Sequence, residues 1–133
     1  MKITNLILLM IASIILIAGC GKKDQLPEKA HAAHILLMYQ GSAGASDEIT
    51  RTREEAYQDI KLLLERVTAG EDFAELAKEF SNCPSGKNGG DLGEFSKGDM
   101  VKPFEDAAFG LKKGKISGIV ETPYGYHIIK RLN

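Results

Sequence analysis

From residue 33 onward the apolar positions change period several times, and each change marks an element. Ala33 to Met38, AHILLM, is an apolar run of strand length, and alternation puts His34, Leu36 and Met38 on one face. The small and polar stretch Tyr39 to Asp47 breaks it as a loop. Thr52 with Glu55 makes a capping box, and Ala56, Ile60, Leu63 and Val67 recur at helical spacing up to Gly70. Asp72 caps a second helix that buries Phe73, Leu76, Ala77 and Phe80. Ser81 to Gly90, rich in Ser, Asn, Gly and Pro, reads as a loop, and Asp91 to Phe95 as a short strand. Pro103 suits the first turn of a short helix running through Phe109, after which LKKGK turns the chain. Ile116 to Val120 and Tyr126 to Leu132 are strand-like and pair as a hairpin across Thr122-Pro123-Tyr124-Gly125. On the last strand His127, Ile129 and Arg131 share one face, and Tyr126, Ile128 and Leu132 the other. The sum is an α+β fold, one small sheet covered by helices, spanning residues 31–133 as a single domain.

The chain before this domain follows another pattern. Lys2 gives a positive start, Ile3 to Ile17 is almost unbroken apolar sequence, and Ile17-Ala18-Gly19-Cys20 closes it with small residues. This reads as a secretory signal over residues 1–20, too short for a preferred transmembrane helix. Its ending resembles the lipobox of bacterial lipoproteins. That resemblance implies cleavage before Cys20, acylation of its sulfur, and anchorage to a membrane of the cell envelope outside the cytoplasm; an ordinary signal peptide that happens to contain Cys20 is the alternative. Gly21 lacks the aspartate associated with inner-membrane retention in some bacteria, a hint toward the outer membrane. Residues 21–30, GKKDQLPEKA, read as a polar tether.

These assignments narrow the chemistry open to Cys83, the other cysteine. A lipidated Cys20 has no sulfur left for a disulfide, and one cysteine with three histidines does not make a structural zinc site, so no metal is expected. Removing the signal takes away Lys2 and no acid, leaving 16 bases against 18 acids, a balance of −2. That charge carries no footprint for nucleic acid.

The segments AHILL, ITRTREEA, FSNCPSGKNGGDLGEFSKGDMVKPFEDAAF and TPYGYHIIK, in this order, resemble the parvulin peptidyl-prolyl isomerases over roughly residues 31 to 133. With the lipobox, the nearest analogues are exported, membrane-anchored parvulin foldases. The resemblance implies a small antiparallel four-stranded sheet covered by helices, no cofactor, and catalysis of cis–trans exchange at X-Pro bonds of unfolded or partly folded exported polypeptides. It assigns Leu92, Met100 and Phe104 to a proline pocket, His34 and His127 to a hydrogen-bonded pair beneath the substrate amide, Thr122 to a supporting hydroxyl, and Cys83 to the neighbourhood of the substrate carbonyl. As residues alone, the histidines read as satisfied core side chains, and the three apolar residues as core under a short helix. Met100 and Phe104 are a helical turn apart if the helix begins early. Phe104→Ala or Met100→Ala is therefore expected to raise KM or lower kcat/KM with the domain still folded.

Rotation about an amide makes and breaks no bond, so an electrostatic role for Cys83 is expected rather than nucleophilic attack, which would need a positioned base. A cysteine hydrolase lacks an obvious orienting partner. A membrane-anchored holdase that only binds unfolded chains is the alternative function. His31 falls outside the motif and reads as the exposed start of a strand. Asn82 replaces an acid found in some relatives, and Tyr124 stands where many carry a small residue. Parvulins directed at phosphate place Lys and Arg after the first strand, whereas residues 38–48 contain no basic side chain, so no phospho-specificity is expected.

Overall fold

The computed structural model describes residues 28–133. The signal segment, Cys20 and all but the end of the tether lie outside the described residues.

Four strands and three helices follow in the order β1 (Lys29–Leu37), α1 (Arg53–Thr68), α2 (Phe73–Phe80), β2 (Asp91–Ser96), α3 (Lys102–Gly110), β3 (Val120–Thr122) and β4 (Gly125–Arg131). The strands form one antiparallel sheet in the order β2-β1-β4-β3. Both of its faces are covered. Ala33, Ile35 and Leu37 of β1, with Tyr126 and Ile128 of β4, pack under α1 and α2. Ala30, Ala32 and Ile129 pack on the other side against Phe95, Phe104, Ala108 and Phe109, mostly from α3. Double coverage explains why both central strands read as near-continuous apolar runs.

Helix starts follow the sequence closely. Thr52 accepts from the Glu55 N–H while the Glu55 carboxylate accepts from the Thr52 N–H, and Asp72 accepts from the Glu75 N–H. Ala56, Ile60, Leu63 and Val67 form the buried stripe of α1, as their spacing predicts.

Three boundaries differ. β1 begins at Lys29, so Lys29 and the buried Ala30 belong to the sheet rather than to the tether, and His31 sits inside the strand. Alanines of low strand propensity hide this from a sequence reading; they are tolerated because they fit beneath the phenylalanines of β2 and α3. The third strand is Val120–Thr122, not residues 116–120. A two-residue turn at Pro123 and Tyr124 makes Thr122 face Gly125 and sets Val120 opposite His127. Ile116 to Ile119 instead runs beside β4 irregularly: Ile116 makes a lone bridge to Lys130, and Ser117 donates its N–H to the Ile129 carbonyl while its hydroxyl accepts from the Ile129 N–H. Finally, residues 81–90 contain a 3-10 turn at Pro84–Asn88, with proline in its first turn and Gly89 (φ 70°) ending it.

Candidate active site

The site lies on the α3 side of the sheet, at the C-terminal end of β1. His127 on β4 stands opposite Leu36 on β1, one step along the same face from His34. The two imidazoles meet through Nδ1 atoms 3.1 Å apart, and His127 Nε2 lies 2.7 Å from the Thr122 hydroxyl oxygen. The Phe104 ring abuts both edge-on, at centroid distances of 5.5 and 5.4 Å.

Burial decides the charge of this pair. Desolvation pushes His34 down to about 4. It pushes His127 down to about 3, with the charge of His34 adding to the effect. Both rings are therefore neutral at pH 7, and a single proton occupies the Nδ1–Nδ1 contact. If His127 holds it, His127 Nε2 accepts from Thr122 and His34 carries its proton on Nε2. If His34 holds it, His127 donates to Thr122, whose own hydroxyl proton then lacks an acceptor. Thr122 already accepts from the Tyr124 N–H at 3.2 Å. The first arrangement leaves only His34 Nε2 unmet, the second leaves two groups unmet, so the first is favoured. His34 Nε2 is buried with no partner among the described residues.

Cys83 reaches this cavity through a seam of hydrogen bonds along β1. The Leu36 N–H donates to the Ser81 hydroxyl (3.1 Å), the Asn82 N–H to the Leu36 carbonyl (2.7 Å), and the Met38 N–H to the Asn82 side-chain oxygen (2.9 Å). Asn82 is thus a fastener, a role within reach of an amide or a carboxylate. Gly90 completes the seam by accepting the His34 N–H at 2.9 Å. Cys83 is partly exposed, and its thiol is unpaired among the described residues.

The cavity encloses about 390 Å³. The residues assigned from the sequence, His34, Cys83, Leu92, Met100, Phe104 and His127, all line it. Thr122 stands behind the wall, touching His127. Two expectations need correction. Met100 precedes the Val101 cap of α3, so Met100 and Phe104 are not one helical turn apart; a bend before the helix brings them together. Phe104 is only 3 % exposed and belongs to the core, so truncating it to alanine costs about 3–5 kcal/mol and tests stability as much as binding.

Asp99 was not singled out from the sequence, although it adjoins Met100. It lines the mouth and is the one charged side chain to do so among the described residues. Its carboxylate accepts the Ser96 N–H at 2.8 Å, and the turn carrying it is held by the buried Glu105, which accepts the Gly98 N–H. Leu36, Met38, Pro84, Val101 and Tyr124 complete the wall.

A family profile described as the PPIC-type PPIase domain matches residues 15–133. The chain belongs to this family, the parvulins. This parvulin is 45% identical over 113 residues to the peptidyl-prolyl cis-trans isomerase Pin1 of Arabidopsis thaliana, a match covering 78% of this chain and 95% of that one. It is 56% identical over 103 residues to the foldase protein PrsA of a Geobacillus species, covering 77% of this chain and 31% of that protein. Among solved structures, the peptidyl-prolyl isomerase ESS1 from Candida albicans superposes with a TM-score of 0.76 at 43% identity, covering 80% of this chain and 63% of the other. The parvulin is accordingly a peptidyl-prolyl cis-trans isomerase, and its four-stranded antiparallel sheet with three helices is the fold of its relatives.

Proposed function

We propose that this parvulin acts without covalent chemistry on X-Pro bonds of unphosphorylated, exported polypeptides, from a lipid anchor at Cys20. The observation that carries the reading is one cavity with an apolar floor of Leu92, Met100 and Phe104 and a polar wall of Cys83, His34 and His127. The barrier to rotation about a peptide bond is about 18–20 kcal/mol and comes from amide resonance. A site lowers it by gripping the proline ring, removing water from the carbonyl and supplying polar groups matched to the twisted amide. The floor serves the first need. The thiol serves the last, while Thr122 and His127 hold the His34 ring in one tautomer in the cavity wall as positioning residues. No base is hydrogen-bonded to the Cys83 sulfur among the described residues, which supports the non-covalent route.

The mouth supports the substrate preference. Asp99 presents negative charge, and no Lys or Arg among the described residues lines the cavity, so a phosphate beside the proline would meet repulsion instead of a guanidinium. The proposed anchorage rests on the apolar run ending at Cys20; incorporation of labelled fatty acid and sedimentation with membranes should both be lost in Cys20→Ala. Prolyl exchange measured by NMR on matched peptides tests the substrate: alanine or lysine before proline should give a higher kcat/KM than phosphothreonine. The reverse order would overturn the reading. In the same assay Met100→Ala, which opens the floor without entering the buried core, should lower kcat/KM about tenfold, as losing 1–2 kcal/mol of apolar contact implies.

A further inference from the structure

A second cavity, of about 640 Å³, lies on the opposite side of the sheet, between α1, α2 and the chain entering α1. Its floor is Leu37, Leu63 and Phe80, and its rim carries Ala69 and Leu62, the latter 58 % exposed on an otherwise polar helix face. The isomerase chemistry uses none of these residues. Arg51 lines it, and its Nη1 is buried and without a hydrogen-bond partner among the described residues. A buried guanidinium nitrogen left unmet is costly, so a turn of the Arg51 side chain that brings this nitrogen to an acceptor in the groove is favoured. The charges around it narrow what that acceptor can be. Arg66 is occupied by Glu71, and Asp59 and Glu65 complete a rim whose five charged side chains sum to −1. The net charge gives an anion no general advantage, and a neutral carbonyl flanked by apolar groups suits both the donor and the floor.

We propose that this groove binds an extended apolar segment of non-native polypeptide, with a backbone carbonyl accepting from Arg51 Nη1, aliphatic or aromatic side chains on the Leu37–Phe80 floor, and basic residues flanking the segment against the acidic rim. It gives the isomerase a proline-independent hold on its clients. The volume suits two or three side chains, within the range of about 300–1,000 Å³ usual for ligand sites. Leu37 in the floor adjoins Leu36 in the catalytic wall, so the two sites lie back to back across β1.

The test uses the full chain and a proline-free fluorescent peptide, Leu-Val-Phe-Leu flanked by lysines, read by anisotropy, with kcat/KM on a short proline peptide measured alongside. The lysine-flanked probe should bind at least about fivefold tighter than the same probe flanked by glutamates, a difference set by the rim charge. Leu62→Glu should weaken it by about tenfold or more, and Arg51→Gln by a smaller factor, with proline-peptide turnover unchanged in both. Displacement of the probe by a proline peptide would place it in the catalytic cavity and overturn the proposal. So would equal affinity for both probes, or indifference to Leu62→Glu. Binding that appears only after residues 1–27 are removed would assign the groove to the chain's own N-terminal segment, and also overturns it. Isomerase activity is read separately, so failure here leaves the assignment of the catalytic cavity standing.

Discussion

Gly90→Ala is expected to unfold the domain under conditions where the wild type is stable. Gly90 has φ +82°, a left-handed backbone that costs an L-residue about 1–2 kcal/mol. The larger effect is spatial: a Cβ there would lie 2.2 Å from the His34 carbonyl oxygen and 3.1 Å from the His34 backbone nitrogen. Those atoms belong to a central strand and cannot yield. Relief requires the 81–90 segment to lift from β1, which breaks the His34 N–H to Gly90 bond and exposes a donor whose loss costs a further ~1–3 kcal/mol. Against a total stability of ~5–15 kcal/mol, these terms with the steric one are enough to abolish folding. Gly93→Ala is the control, since Gly93 has a comparable φ of +70° with nothing within 4 Å of the added methyl. It should cost only the backbone term. Thermal melts followed by circular dichroism compare the two; coincident melting curves would mean that the seam does not pack as described.

Acid should destabilise the fold well before its carboxylates titrate. The sign follows from proton counts. His34 and His127 ionise near 6.5 in the unfolded chain and at about 4 and about 3 when folded. Between these values the unfolded state binds protons that the native state refuses, so stability rises with pH throughout the window. It is fully present above about pH 7 and is lost progressively as pH falls from 6.5 toward 4. Most carboxylates remain ionised down to about pH 5, so urea midpoints recorded from pH 7 to 5 in a His31→Ala background, which removes the His31–Asp91 contact, isolate the contribution of the buried pair. A steady decline is expected over that range, and a flat midpoint would mean that the pair is not buried and neutral. Catalysis should behave differently. With both rings already neutral, kcat/KM should be level from about pH 5.5 to 8 while the protein stays folded, and an inflection near 6.5 would contradict the single-proton arrangement of the pair.

Helices and their faces were legible because their signals are local. A capping box, a stripe at positions 56, 60, 63 and 67, and a proline in a first turn all act within a few residues. Both strand faces carrying the histidines could also be read, since alternation along β1 and β4 survives tertiary context. The misplaced strands failed for the opposite reason. Ile116 to Val120 has the composition of a strand, but the register of β3 is set by the Pro123-Tyr124 turn and by Gly125, where a side chain would strike the Leu37 carbonyl at 2.3 Å. The alanines at the start of β1 join the sheet only because phenylalanines from distant segments cover them.

The sequence by itself determined that this chain has a parvulin's elements in a parvulin's order, with a thiol, two imidazoles and three apolar side chains in the motif positions, because residue type and spacing carry that information. Tertiary structure alone decided that these groups share one cavity, that burial keeps both imidazoles neutral, that Asp99 guards the mouth, and that Phe104 is core as well as floor. Each of those depends on desolvation or on contact between segments tens of residues apart, and neither quantity is a property of any local stretch of chain.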